Sequence, residues 1–123
     1  MSVKIVEKPW GSETIWAHTD WYVGKILRVK AGEELSIQYH HEKDETMYVL
    51  SGEGFINFFM FDSDAGQDNL IASKNLLVKD GDSVHIAPTQ IHNVEAITDM
   101  VILEASTNHL NDLVRIKDRY NRG

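Results

Sequence analysis

The chain contains no cysteine, 2 prolines, and no apolar run of the length a membrane-spanning helix needs. Without cysteine there is neither a disulfide framework nor a thiolate metal site. No internal repeat or low-complexity tract is visible, which excludes a solenoid or array. Positive charge is also scarce: 12 Lys and Arg stand against 19 Asp and Glu, a formal charge of -7. Phosphate backbones bind to concentrated positive surface, so a nucleic-acid partner is not expected. With no basic-then-apolar leader and no spanning segment, the expectation is a soluble, cytoplasmic chain without a membrane partner. A length of 123 residues at 42% hydrophobic content fills one core, so residues 1–123 are read as a single domain.

What is present is mostly short β-rich runs divided by Gly, Asp, Asn or Pro. The runs are Thr14 to Trp16, Tyr22 to Val29, Leu35 to His40, Thr46 to Leu50, Gly54 to Phe61, Asn75 to Val78, Ser83 to Ile86, His92 to Ala96 and Met100 to Ala105. So many short strands predict an all-β sandwich or barrel. Leu110, Leu113, Val114 and Lys117 follow Asn108 at helical spacing, which predicts a short C-terminal helix with Asn108 as its N-cap. Phe55, Phe58, Phe59 and Phe61 are read as packing residues, and Trp10, Trp16 and Trp21 as a cluster that can face a second subunit.

The stretch from Gly32 to Gly52 carries the chemistry. Residues two apart on a strand share a face, so Gln38 and His40 point the same way and His41 the other. Glu45 opens the next apolar run after a polar turn, and His92 heads a later strand after the turn at Pro88. One amide oxygen, two imidazoles and one carboxylate suit a divalent first-row metal. Zinc, iron, manganese, cobalt and nickel all remain open on that chemistry. His18, His85 and His109 fall outside this register and are read as ordinary polar residues.

Gly32, Gln38 in the first ligand position, His40, Glu45 and Gly52 resemble the first motif of the cupin superfamily. Gly81 and His92 resemble the second more loosely, with Ala87 where Pro is usual, Thr89 where Gly is usual and Ala96 where Asn is usual. Glutamine as first ligand is similar to the phosphomannose isomerases. Lys8 to Ser12, Lys25 in its strand, and the tail from Asp112 to Arg122 resemble the type II phosphomannose isomerase domain. The resemblance implies a jelly-roll cupin, a metal held by Gln38, His40, Glu45 and His92 with zinc first among the candidates, and a homodimer. It departs where the family's flanking Arg, His and Trp become Lys43, Thr46 and Met47, and in a longer segment from Phe61 to Lys79.

The activity so implied is interconversion of mannose 6-phosphate and fructose 6-phosphate, with the metal as Lewis acid. Lys25 is the candidate base on a strand that can turn it inward, or else a binder of sugar or phosphate. Arg115 and Arg119 in a basic tail are candidates for the phosphate, since a guanidinium grips two oxygens at once. The same metal pocket can serve a sugar-binding module that lost turnover, or another metal-dependent cupin enzyme. A nucleotide-sugar step is expected to reside on another polypeptide.

Overall fold

The computed structural model describes residues 2–62, 69–120 and 122. Among them the chain forms β1 (Lys4–Lys8), β2 (Gly11–His18), β3 (Tyr22–Val29), β4 (Ile37–Tyr39), β5 (Glu45–Ser51), β6 (Glu53–Phe61), β7 (Leu70–Lys79), β8 (Ser83–Ile86), β9 (Ile91–Ala96), β10 (Met100–Thr107) and β11 (Val114–Lys117). Two sheets result, one ordered β1-β2-β3-β10-β5-β8 and the other β11-β4-β9-β6-β7. Their ladders are antiparallel. Among the described residues no helix is long and apolar enough to cross a membrane.

Alternation along each strand fixes what faces the space between the sheets. On β5 the inward residues are Glu45, Met47 and Val49; on β9 they are His92, Val94 and Ala96; on β10 they are Met100, Ile102, Glu104 and Ser106. On β3, Lys25, Leu27 and Val29 are buried on that side. Strands β5, β9 and β10 therefore turn from apolar to polar toward the same end of the barrel, where Lys25 of β3 also lies. The apolar half, with Trp10, Leu27, Val29, Met47, Val49, Ile56, Val94 and Ile102, is the core. Cross-strand register then assembles the polar half: Lys25 opposite Glu104, Ser106 opposite Glu45, and Gln38 opposite both His92 and Arg115.

The predicted C-terminal helix is not formed. Leu110 and Asn111 form a turn, and Val114 to Lys117 pair with β4 instead, Val114 against Tyr39 and Arg115 against Gln38. A helix this short is marginal alone, whereas the extended path gains a ladder and brings Leu110 and Leu113 against the barrel interior. The apparent helical spacing was a coincidence of loop residues with a strand. Strand β1, unread in the sequence, is a largely exposed edge strand paired only to β2. The long segment from Phe61 onward extends the β6–β7 hairpin from the Glu53–Lys79 pair to the Phe61–Leu70 pair; residues 63–68 lie outside the described ones. Of the three tryptophans, Trp10 is in the core while Trp16 and Trp21 are exposed.

Two turns carry backbone conformations their roles require. Gly52, between β5 and β6, has φ of 100°, and a Cβ there would sit 2.3 Å from the Asp99 carbonyl oxygen. Thr89, between β8 and β9, has φ of 72° although it is β-branched. It follows Pro88 in a turn closed by Gln90 N–H on the Ala87 carbonyl at 3.3 Å, the arrangement in which that position favours glycine. Strain of this kind costs about 1–3 kcal/mol, against about 0.5–1 kcal/mol of added chain entropy for glycine. Thr89→Gly is therefore expected to raise stability by about 1 kcal/mol, read as a higher urea midpoint at unchanged slope; a lower midpoint would show that the threonine is not strained.

Candidate functional site

His40, Glu45 and His92 bring one donor atom each within 4.8 Å of one another. His92 Nε2 lies 3.3 Å from Glu45 Oε1, and His40 Nε2 lies 3.8 Å from Glu45 Oε2. All three are buried, His92 and Glu45 at 1% exposure. The two Nε2 atoms and both Glu45 oxygens make no aligned hydrogen bond, an unusual condition for buried polar atoms. Each imidazole is oriented from behind through Nδ1, His40 on the Asp112 carbonyl and His92 on the Gln90 carbonyl at 2.9 Å. That leaves the Nε2 lone pairs aimed at the common point, the arrangement in which histidine ligates a metal.

Protonation states agree with ligation. Burial lowers the His40 pKa below the ordinary histidine value, keeping the ring neutral. Burial pushes the Glu45 carboxyl up, but the His92 ring and the Lys43 ammonium more than offset it, and the group stays ionised well below the usual range. Lys43 Nζ is 2.7 Å from Glu45 Oε2. The residues present thus fit a divalent cation bound through nitrogen and oxygen.

Gln38 stands across the strand pair from His92 and lines the same cavity as His40. Its Oε1 accepts from Ser36 Oγ at 2.8 Å, a hydroxyl that can rotate to release it. Of the four donors expected from the sequence, His40, Glu45 and His92 converge and Gln38 lies in the lining of the adjoining cavity.

One residue the sequence reading gave only to the tail organises the whole set. Asp112 carboxylate oxygens accept the backbone N–H groups of His41, Glu42 and Lys43 at 2.9, 2.7 and 3.0 Å. Those bonds hold the β4–β5 turn, with Glu42 first in effect, and depress the Asp112 pKa to about 2. The same residue's carbonyl orients His40.

The cavity beside the donors, about 130 Å³, is lined on one side by Lys25, Lys43, Glu13 and Glu104, and on another by Lys8, Arg115 and Arg122. Its size limits an occupant to a small molecule. Lys25 does point inward, and its Nζ donates to Glu13 Oε1 at 2.9 Å. Arg115 lines the cavity with its buried Nε free of a hydrogen bond. Arg119 does not reach it: Nη1 donates to the Gly32 carbonyl at 2.7 Å, and the guanidinium pairs with Glu33 and Glu34 on the rim. Arg122 is gripped by Asp118 at 2.7 Å. Burial lowers the Lys8 pKa, opposed by Glu13 and reinforced by Arg122, Lys25 and Arg115.

Lys43 and Glu104 were missed in the sequence although a signal existed. Glu104 follows the apolar inward positions Met100 and Ile102 on its strand, and a charge in that register is rarely buried unless paired. Glu104 has 5% exposure; burial and the Glu45 charge raise its pKa, against the pull of Lys43 and Lys25. Lys43 Nζ bridges Glu45 and Glu104 at 2.7 and 3.3 Å. Burial pushes its ammonium down, but the two carboxylates more than offset that, so it remains charged.

A two-sheet barrel with a His–Glu–His set on its inner face defines the chain as a cupin. Its fold overlays a RmlC-like cupin from Shewanella frigidimarina with a TM-score of 0.70, at 15% identity and 89% and 86% coverage of the two chains. It likewise overlays the capsular polysaccharide assembling protein CapF from Staphylococcus aureus with a TM-score of 0.76, at 24% identity over 96% of this chain and 32% of that one. Residues 2–118 match the family described as mannose-6-phosphate isomerase C-terminal, and the chain belongs to that family. A mannose-1-phosphate guanylyltransferase of Escherichia coli O157:H7 is 27% identical over 98% of this chain, and one of Salmonella typhimurium is 26% identical over 93%. The chain spans 23% and 22% of the length of those two relatives.

Proposed function

We propose that this cupin is a metal-dependent aldose–ketose isomerase acting on mannose 6-phosphate and fructose 6-phosphate. The observation that carries the reading is one small cavity lined both by two of the donors, Gln38 and His40, and by Lys8, Arg115 and Arg122. His40, Glu45 and His92 hold the metal, with Gln38 as fourth donor once Ser36 turns away. Zinc suits this nitrogen and oxygen set first, with iron, manganese, cobalt and nickel as alternatives. When bound, the metal supplies Lewis-acid polarisation of the sugar carbonyl. Arg115 and Arg122 bind the phosphate through paired N–H groups and Lys8 adds a point charge; Arg119 is left to the rim. Lys25, whose Nζ is held by Glu13, serves as a donor to a sugar oxygen.

Thr46 and Met47, where the family's His and Trp are replaced, weigh little against this reading. Thr46 lies on the outer side of β5, away from the cavity, and Met47 forms an apolar part of the wall. The test is a coupled assay of mannose 6-phosphate conversion on metal-stripped protein reloaded with single divalent metals. Turnover that depends on the metal supports the isomerase; sugar-phosphate binding without turnover would replace it with a binding module.

For a partner we propose a second copy of the chain. The outer side of the six-stranded sheet carries Trp16, Tyr22, Tyr48 and Leu50, all between 41% and 56% exposed, and exposed aromatic side chains of this kind are enriched at interfaces. Tyr48→Arg is expected to shift the sedimenting mass from dimer to monomer. A wild-type monomer at high concentration would end this proposal.

A further inference from the structure

We propose that Glu104 carries the carbon-bound proton in this isomerisation, taking it from C2 of the aldose and returning it to C1. The assignment rests on the isomerase reading above. Oε2 of Glu104 lies on the cavity wall, paired with the Lys43 ammonium at 3.3 Å and 4.0 Å from Lys25, and has no further hydrogen-bond partner among the described residues. A buried carboxylate with a purely structural task has its oxygens satisfied. One that keeps a lone pair on a cavity wall is placed to accept a proton. Position favours it as well, because the ammonium that faces Glu104 also holds Glu45 at 2.7 Å. The base and the metal-donor set thus share one ammonium, that of Lys43.

The other candidates fit less well. Lys25 is bonded to Glu13 at 2.9 Å and lies beside Glu104, so its Nζ is already engaged by carboxylates on either side. Glu13 commits Oε1 to that same bond and lies one cross-strand pair further from Glu104, opposite Leu27. In the step itself, the C2–H bond breaks with its proton going to Glu104. The C2 electron pair forms the C1–C2 double bond as the carbonyl pair moves to O1, and the O2 hydroxyl proton passes to O1. The double bond then takes the proton from Glu104 at C1 while O2 forms the new carbonyl, so no external oxidant or reductant is needed.

The test follows hydrogen exchange at C1 and C2 in deuterated water, alongside turnover, for metal-loaded protein. Glu104→Gln is expected to lower kcat and exchange together by about 10²–10⁴-fold, with metal stoichiometry and KM little changed. In Glu104→Ala, added formate is expected to restore part of the exchange, which a merely structural role would not allow. Exchange by Glu104→Gln at the wild-type rate would assign the proton to another group. Loss that follows metal release or unfolding in both variants, with no response to formate, would reduce Glu104 to a structural residue. A wild-type protein that neither exchanges nor turns over with any metal would instead remove the isomerase reading itself.

Discussion

His92→Ala is expected to abolish tight divalent-metal binding while leaving the metal-free protein folded. The imidazole is one of three converging donors and is oriented by the Gln90 carbonyl at 2.9 Å. Loss of a group that only orients a ligand weakens metal binding by roughly 10–100-fold, and loss of the ligand itself costs more. The folded state survives because Glu45 keeps the Lys43 ammonium at 2.7 Å, so its buried carboxylate is not stranded. A metal at about 100 times its Kd adds about 2.7 kcal/mol to stability, a rise of roughly 10 °C in Tm for a domain near this size. Wild type should show that rise on titration with zinc and His92→Ala should not, although their Tm values in chelator stay close. An equal rise in both would move the metal away from this site.

Much of this site was readable because a strand reports its own faces. The alternation from Gln38 to His40 and the placement of Glu45 and His92 near strand starts aim these side chains at a shared interior, and His40, Glu45 and His92 do converge there. Nothing in that reasoning needed the tertiary structure. The departures have a common cause in contacts far apart in sequence. Leu110, Leu113 and Val114 have helical spacing, and only the ladder to Tyr39 and Gln38 shows that Val114 and Arg115 run extended. Arg119 is indistinguishable from Arg115 in a basic tail, yet Glu33 and Glu34, more than eighty residues earlier, hold it on the rim. Glu104 was visible as a charge in an inward register, but its meaning depended on Lys25 and Lys43 arriving from two other elements. Strand faces are local properties; charge partnerships are not.

Asp112→Ala is expected to weaken metal binding by roughly 10–100-fold without touching a ligand. Three backbone N–H groups leading into Glu45 lose their acceptor, and the carbonyl that orients His40 loses its anchor. Amide exchange at His41, Glu42 and Lys43 should become fast in the variant, while the β3 and β10 amides stay protected. The carboxyl also gives the effect a pH signature. Its folded pKa is about 2 against an ordinary 3.8, so the ionised group stabilises the fold at every pH above 3.8. That contribution declines as pH falls from 3.8 toward 2, where the folded-state carboxylate is itself protonated. In chelator, which removes any contribution from metal release, the gap in urea midpoint between wild type and Asp112→Ala should hold steady from pH 7 to about 4.5 and then close. A gap that persists unchanged at pH 2.5 would mean that the turn is held by something other than this carboxylate. Fast exchange at residues 41–43 with metal affinity unaltered would separate the turn from the site, leaving the Asp112 carbonyl to orient His40 without the turn.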